Sequence, residues 1–438
     1  MKNILLICGL LLAGPAFSQT SGALTEAAPE SVSMSSERLQ RIDHVMNEYI
    51  DNKKMAGIAA LVARNGKIVY YKALGYDDRE NNKLLKRDDI FRIASQTKAI
   101  TSVAVMILYE EGKITLDEPV SKYIHSFKNP RVLDQYNAAD TTYTTVPAKR
   151  EITIRDLLTH TSGIGYAQVG TPVFTAIYHK NNITAGLGAL HKSAAEDIQR
   201  LGSLPLMHHP GENWNYGLNT DVLGYLVEVV SGMSLDSLFH KRIFEPLGMK
   251  DTYFYLPPEK YNRLANVQIL DTVSGTLKKF AGEPGKLLAF GTGFVDINWP
   301  KTKGTYLSGG GGLSSTLLDY AIFLQMLLNG GEYNGKRILS RNSVRMMTTN
   351  QIGDLFIDSI DDRGFKFGLG FKLVTEKISG LSPQRAGTFS WSGVVGTTYW
   401  VDPVEKLIVL FYKQIRGADP SKDVRERLAP LVYQAMTD

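Results

Sequence analysis

Residues 95–111 read as one helix that is apolar on almost every side. Ala99, Ile100, Val103, Ala104, Met106, Ile107 and Leu108 leave it little polar face, and Gly112 ends it. Such a helix has to be enclosed by other elements, so the chain has to build layers around it. Strand patterns lie on both sides of it in the sequence. Residues 57–63 and 67–74 read as two strands joined by Asn65-Gly66, a turn pair that tolerates positive φ. Residues 367–374, 389–391, 397–401 and 407–413 alternate or run apolar, with Asp402-Pro403 as a turn.

Between these groups the pattern changes. From about 116 to 290 the chain reads as helices (154–159, 184–201, 220–231, 235–244) joined by long loops, with 129–150 polar and turn-rich. A helix from Ser36 carries Leu39, Ile42, Val45, Met46, Tyr49 and Ile50 on one face, and a last helix spans 424–436. The expected organisation is an α/β domain of residues 36–115 with 291–438, and a helical domain of residues 116–290 inserted into it.

The N-terminus carries its own pattern. Met1-Lys2-Asn3 is followed by an apolar stretch, 4–13, and by Ala16-Phe17-Ser18 with small residues at first and third places. This predicts a signal peptide over 1–18, too short to span a bilayer, and a periplasmic or extracellular protein. Residues 19–35 are small and polar and read as a flexible leader. The chain's one cysteine, Cys8, lies inside the apolar stretch. The mature protein is therefore expected to use neither a cysteine nucleophile nor disulfides nor Cys-bound metal. The net charge of +5, from 49 basic and 44 acidic residues, is spread thinly. No basic cluster or nucleic-acid motif appears, so nucleic-acid binding is not expected.

Serine chemistry has one candidate. No Gly-x-Ser-x-Gly, His-Glu-x-x-His or P-loop is present, and the run Gly309 to Gly312 reads as a tight loop. One Ser-x-x-Lys occurs, Ser95-Gln96-Thr97-Lys98, at the start of the apolar helix. Lys98 follows one turn later on the same face. A helix N-terminus offers N–H groups to a developing oxyanion, and a buried amine is a candidate base. The plain alternative is an N-cap serine with a solvated lysine, which an all-apolar helix makes awkward. Two further segments bear on the choice. Trp214-Asn215-Tyr216 precedes the 220–231 helix, where a phenol can act beside Lys98, although a Tyr near a Trp is more often core packing. Trp391-Ser392-Gly393-Val394 ends a strand, where glycine permits close backbone approach.

The order Ser95-x-x-Lys98, Tyr216, Trp391-Ser392-Gly393 resembles the serine β-lactamase-like superfamily, above all its class C-related branch of esterases (family VIII), transesterases and penicillin-binding-protein-like hydrolases. Segments 154–163, 210–212, 221–224, 246–249 and 310–315 agree in order, over about residues 36–415. The resemblance implies an antiparallel sheet flanked by helices, plus an all-helical domain, with the site between. It implies Ser95 as acylated nucleophile, Lys98 and Tyr216 as acid and base, and the N–H groups of Ser95 and Val394 as oxyanion hole. Trp391, Ser392, Gly393, Leu218 and Asn219 are then expected at the substrate, a small ester or amide, with no metal or organic cofactor.

Two departures narrow the substrate. β-Lactamases and DD-peptidases of this family carry Tyr-Ala/Ser-Asn, where this chain has Tyr216-Gly217-Leu218. They also carry Lys-Thr-Gly, where it has Trp391-Ser392-Gly393. Loss of a paired charge in a half-buried site costs about 2–5 kcal/mol of binding. Asn219 and Arg385 are the residues placed to restore an amide or a cation. The expectation is an exported carboxylesterase with low β-lactam turnover. The alternatives are a β-lactamase or D-amino-acid peptidase, and, in another class, a non-catalytic cell-wall sensor.

Overall fold

The computed structural model describes residues 22–438 apart from 167–170, 185–191, 272, 281, 283–287, 291–292 and 358–363. The signal peptide expected over 1–18 lies outside the described residues.

One nine-stranded sheet takes strands from both ends of the chain. Its spatial order is Thr25–Glu26, Lys67–Asp78, Gly57–Arg64, Leu407–Tyr412, Thr397–Asp402, Phe389–Gly393, Lys372–Leu373 and Lys366–Phe367, with Lys83–Leu84 beside Lys67–Asp78. All pairs are antiparallel except Thr25–Glu26 on Lys67–Ile68. The turn between the first two long strands is the expected one, with φ of 51° at Asn65 and 75° at Gly66.

Alternation along the strands sorts their side chains into two cores. Ile58, Ala60, Val62, Trp400, Val409 and Phe411 face the helices Arg41–Asp51 and Val424–Tyr433. Ala59, Leu61, Tyr399, Ile408, Leu410 and Tyr412 face the opposite way, toward Thr97–Glu110 and Leu317–Leu328. Every residue from Thr97 to Leu108 is buried, which is what an all-round apolar helix requires. Asn219–Ser231 packs against it from the other side.

Five expectations need correction. Residues 19–35 are not a flexible leader throughout: Thr25–Glu26 pairs with the sheet, and Val32 and Met34 are buried under it. The 129–150 stretch forms a hairpin, Arg131–Asn137 with Thr142–Pro147, since its Thr, Tyr and Val residues favour extended backbone. The helical region is thus not helical throughout, and Gln268–Asp271 within it pairs with both Thr276–Lys279 and Ile415–Arg416. The 367–374 strand is interrupted: Gly370 adopts φ 98°, and only Lys366–Phe367 and Lys372–Leu373 pair. Of the helix expected over 184–201, Ala194–Leu201 forms, and 185–191 lie outside the described residues.

Leu61 and Leu410 are register partners on the side of the sheet that faces Thr97–Glu110, both fully buried. Leu61→Ala is expected to lower stability by about 2–5 kcal/mol, read as a drop in the urea midpoint at unchanged slope.

Candidate active site

Ser95 sits in a 3-10 turn, Ala94–Gln96, that runs into the Thr97–Glu110 helix. Ala94 has φ 44°, a left-handed conformation that costs a non-glycine residue about 1–3 kcal/mol. The surroundings hold it there. The Ile93 N–H donates to Leu313 O at 3.1 Å, and the hydroxyls of Tyr320 and Tyr412 donate to Gln96 O and Oε1 at 2.8 and 2.5 Å. The serine is thereby presented, half-buried, at the head of the helix.

Lys98 is 2% exposed. Its Nζ donates to the Gly310 carbonyl at 2.6 Å and lies 3.4 Å from Ser95 Oγ. The glycine run explains this contact. Residues 308–313 pass between two helices: Thr101 Oγ1 donates to Gly309 O at 2.7 Å from one side. From the other, Asp221 Oδ1 accepts from Ser308 Oγ at 2.6 Å and from the Gly310 N–H at 3.2 Å. A Cβ at Gly310 would stand 2.2 Å from Asp221 Oδ2, and one at Gly309 2.6 Å from Thr220 O. Only glycines let this backbone come so close.

Tyr216 donates its hydroxyl hydrogen bond to Ser95 Oγ at 2.6 Å. Its ring is enclosed by Tyr166, stacked at 5.3 Å, His160 at 5.1 Å and Trp391 at 5.6 Å, and Lys98 Nζ lies 4.7 Å from its centroid. Its loop is pinned to the 160–165 segment. Asn215 N–H donates to His160 O, Asn215 Nδ2 to Ile164 O, and Leu218 N–H to Gly165 O, at 2.7–3.0 Å. A Cβ at Gly217 would lie 1.8 Å from Ile164 O, so the Tyr-Gly departure from the family pattern follows from this close approach. Burial, helped by nearby Lys98, pushes the His160 imidazole well below its usual range. Burial pushes the Tyr166 phenol well above its own, with Tyr216 and Asp221 adding to the effect. Both are neutral walls at neutral pH.

The end of the Phe389–Gly393 strand abuts the turn that carries Ser95. Gly393 is packed so closely that a Cβ would lie 2.4 Å from Ile93 O, and Thr397 Oγ1 donates to that carbonyl at 3.3 Å. Val394 follows the end of this strand and is exposed. Trp391 lies against Tyr216 and, edge to face at 5.4 Å, against Phe367. Ser392 is exposed, points to the opposite face of the strand, and shares a 3.1 Å hydrogen bond with Thr398 Oγ1.

The structure thus brings Ser95, Lys98, Tyr216, Trp391 and Gly393 together, with Val394 at the strand end beside them. It corrects the other expectations. Leu218 is 1% exposed and part of the core, so it does not line a substrate space. Asn219 is fully buried at the helix start, its Oδ1 accepting from Ser162 Oγ and its Nδ2 2.9 Å from His160 Nδ1, which leaves no amide for a ligand. Arg385 pairs with Glu405 at 3.1 Å and supplies no replacement cation. Sequence reasoning missed His160, Tyr166 and the Gly310 carbonyl as parts of the site. Among the described residues no group of three or more His, Cys, Asp or Glu is placed to hold a metal ion.

A family model described as Beta-lactamase matches residues 42–434. Esterase EstB of Burkholderia gladioli is 30% identical over 380 residues, covering 84% of this chain and 88% of its own. A D-alanyl-D-alanine carboxypeptidase-like protein of Escherichia coli O157:H7 is 27% identical, covering 97% of this chain and 94% of its own. Among solved structures, EstCE1, a hydrolase with promiscuous acyltransferase activity, superposes with a TM-score of 0.76 at 27% identity. The match covers 91% of this chain and 99% of that one.

Gly393→Ala forces the strand end away from Ile93. The expected result is a 10²–10³-fold fall in kcat for an activated ester, about the loss of one oxyanion donor, with an unchanged circular dichroism spectrum.

Proposed function

The chain belongs to the beta-lactamase family and is a serine hydrolase, and from that premise we propose that it cleaves carboxylic esters through an acyl-enzyme on Ser95. The observation that carries the reading is the triangle at Ser95 Oγ: the Tyr216 hydroxyl at 2.6 Å, Lys98 Nζ at 3.4 Å, and an aromatic Trp391 on the strand where the penicillin-recognising relatives carry lysine.

Ser95 Oγ attacks the ester carbonyl carbon, and its proton passes to the Tyr216–Lys98 pair. The oxyanion that forms is received by the N–H groups of Ser95 and Val394. Collapse expels the alcohol oxygen, which takes the proton, and leaves the acyl group on Ser95. Water repeats the sequence to release the acid; an alcohol in its place gives transesterification. The apolar walls support a neutral substrate. Trp214, Phe367, Ile352 and Ile357 form a small cluster against Tyr216 and Trp391, and exclusion of water there strengthens each hydrogen bond to the reacting centre.

A second reading, a β-lactamase or D-amino-acid peptidase, has the Escherichia coli relative in its favour. It requires a cation for the substrate carboxylate, and Trp391 and the paired Arg385 weigh against one. The signal-like pattern of residues 1–18 supports a reaction outside the cytoplasm.

Turnover of p-nitrophenyl butyrate and of nitrocefin by the purified protein separates the readings. The ester is expected to be the better substrate, and Ser95→Ala to lower its turnover by about 10⁴-fold or more. Ester turnover that survives in Ser95→Ala sinks the nucleophile assignment, and faster nitrocefin turnover sinks the esterase reading.

A further inference from the structure

His160 is an enclosed histidine that the reaction sequence above does not use. It is 1% exposed and adopts a left-handed conformation, φ 59°, directly after the Ile154–Thr159 helix. A non-glycine residue held there is strained, and such strain collects at functional sites. Its ring meets Tyr216 at 5.1 Å, Trp214 at 5.8 Å and, edge to face, Phe367 at 5.6 Å. It is part of the wall on which the Tyr216 phenol rests.

The hydrogen bonds behind the ring decide which of its nitrogens carries the proton. They start at Ser162, which is fully buried. Its Oγ accepts from the Ile164 N–H at 3.0 Å and donates its single proton to Asn219 Oδ1. Reversing the Asn219 amide would set Nδ2 against that hydroxyl and take away the acceptor of its proton, which is costly in a buried site. Asn219 therefore points Nδ2 at His160 Nδ1, 2.9 Å away. An amide NH2 group can only donate, so Nδ1 has to accept and carries no proton. The proton of the neutral imidazole then sits on Nε2. Burial, with Lys98 adding to it, favours that neutral form.

We propose that Asn219 and Ser162 are positioning residues for catalysis: together they fix His160 as its Nε2–H tautomer, the form whose ring holds the Tyr216 phenol against Ser95. The segments they join are the ones that carry the site. Ser162 and His160 lie in the 160–165 segment, and Asn219 follows Tyr216 by three residues at the start of the Asn219–Ser231 helix. A proton on Nδ1 would oppose the Nδ2–H of Asn219, displace the ring and, with it, Tyr216. A purely structural tie between the two segments needs only a polar partner at residue 219, whichever nitrogen of His160 is protonated. The tautomer is what separates the two roles.

The inference rests on Ser95 and Tyr216 acting as proposed, so a first measurement is made without turnover. Wild-type protein carrying nitrogen-15 histidine is read by long-range proton–nitrogen correlation NMR at neutral pH, with the His160 signals assigned as those lost in His160→Gln or moved in Asn219→Asp. The expected spectrum has the proton on Nε2 and a bare Nδ1. A proton on Nδ1, or on both nitrogens, overturns the proposal. Fluorophosphonate labelling of wild type and Ser95→Ala then tests the function separately: absence of Ser95-dependent labelling defeats the proposed function, whereas a wrong tautomer with labelling intact defeats this inference alone. With labelling established, kcat and KM for p-nitrophenyl butyrate are measured for Asn219→Asp. Its carboxylate still accepts from Ser162 but cannot donate to Nδ1, and it draws a proton onto that nitrogen. The expected result is an Nδ1–H signal and a fall in kcat on the order of 10²-fold with little change in KM. An Asn219→Asp protein with the proton on Nδ1 and the kcat of wild type overturns the proposal. If Asn219→Asp does not fold, Ser162→Ala, which frees the amide to turn, takes its place: a smaller fall in kcat supports the proposal, and an unchanged kcat overturns it.

Discussion

At the head of the enclosed Thr97–Glu110 helix, the Lys98 side chain is 2% exposed and meets a backbone carbonyl, Gly310 O, at 2.6 Å. An amine in that position needs polar partners, because apolar surroundings offer it nothing. The nearby architecture answers that need. The glycine run brings its backbone between two helices, Asp221 fixes it from one side, and Thr101 and Lys98 from the other. Ser95 precedes Lys98 by one turn, so the same helix start that buries the amine presents the hydroxyl. The strained Ala94 is tolerated because Tyr320, Tyr412 and Leu313 fix the residues around it.

The sheet has a second task beyond enclosing the helix. Its Phe389–Gly393 strand ends against Ile93, two residues before Ser95, so the backbone proposed to receive the oxyanion is held by the core itself. Strands from both ends of the chain meet in this sheet, and the Tyr216 loop reaches Ser95 from the segment between. The aromatic rings around Tyr216 then serve twice. They fix the phenol at 2.6 Å from Ser95 Oγ, and with Phe367 and Trp391 they give the substrate side an apolar character. Such a surface supports the neutral substrate proposed above.

Much of this was legible in the sequence where spacing alone carries geometry. Ser95 and Lys98 lie on one helix face, so three residues of separation suffice to place them together. The strand pair 57–64 and 67–78 is announced by Asn65-Gly66. Tyr216 and the Trp391-Ser392-Gly393 end became legible only through order and resemblance, since nothing local says that they meet Ser95. The expectations that failed depended on directions set by tertiary contacts. Asn219 has the right chemistry for a ligand, but Ser162 and His160 hold both ends of its amide. Leu218 turns into the core because the Leu218 N–H is tied to Gly165 O. The role of the glycine run was hidden because it lies in a carbonyl and in missing side chains, and composition marks neither. The 131–147 hairpin was hidden by its polarity, which masks β-branched residues in a stretch rich in turn formers.

The central claim is that Ser95 carries the acyl group while Lys98 and Tyr216 manage its proton. Intact-protein mass spectrometry during turnover of a slowly deacylated ester, followed by peptide mapping, tests it most directly. The account predicts a mass increase of one acyl group on the peptide containing Ser95, and no such species in Ser95→Ala. Turnover with an unmodified protein, or an acyl group on any other residue, would contradict it.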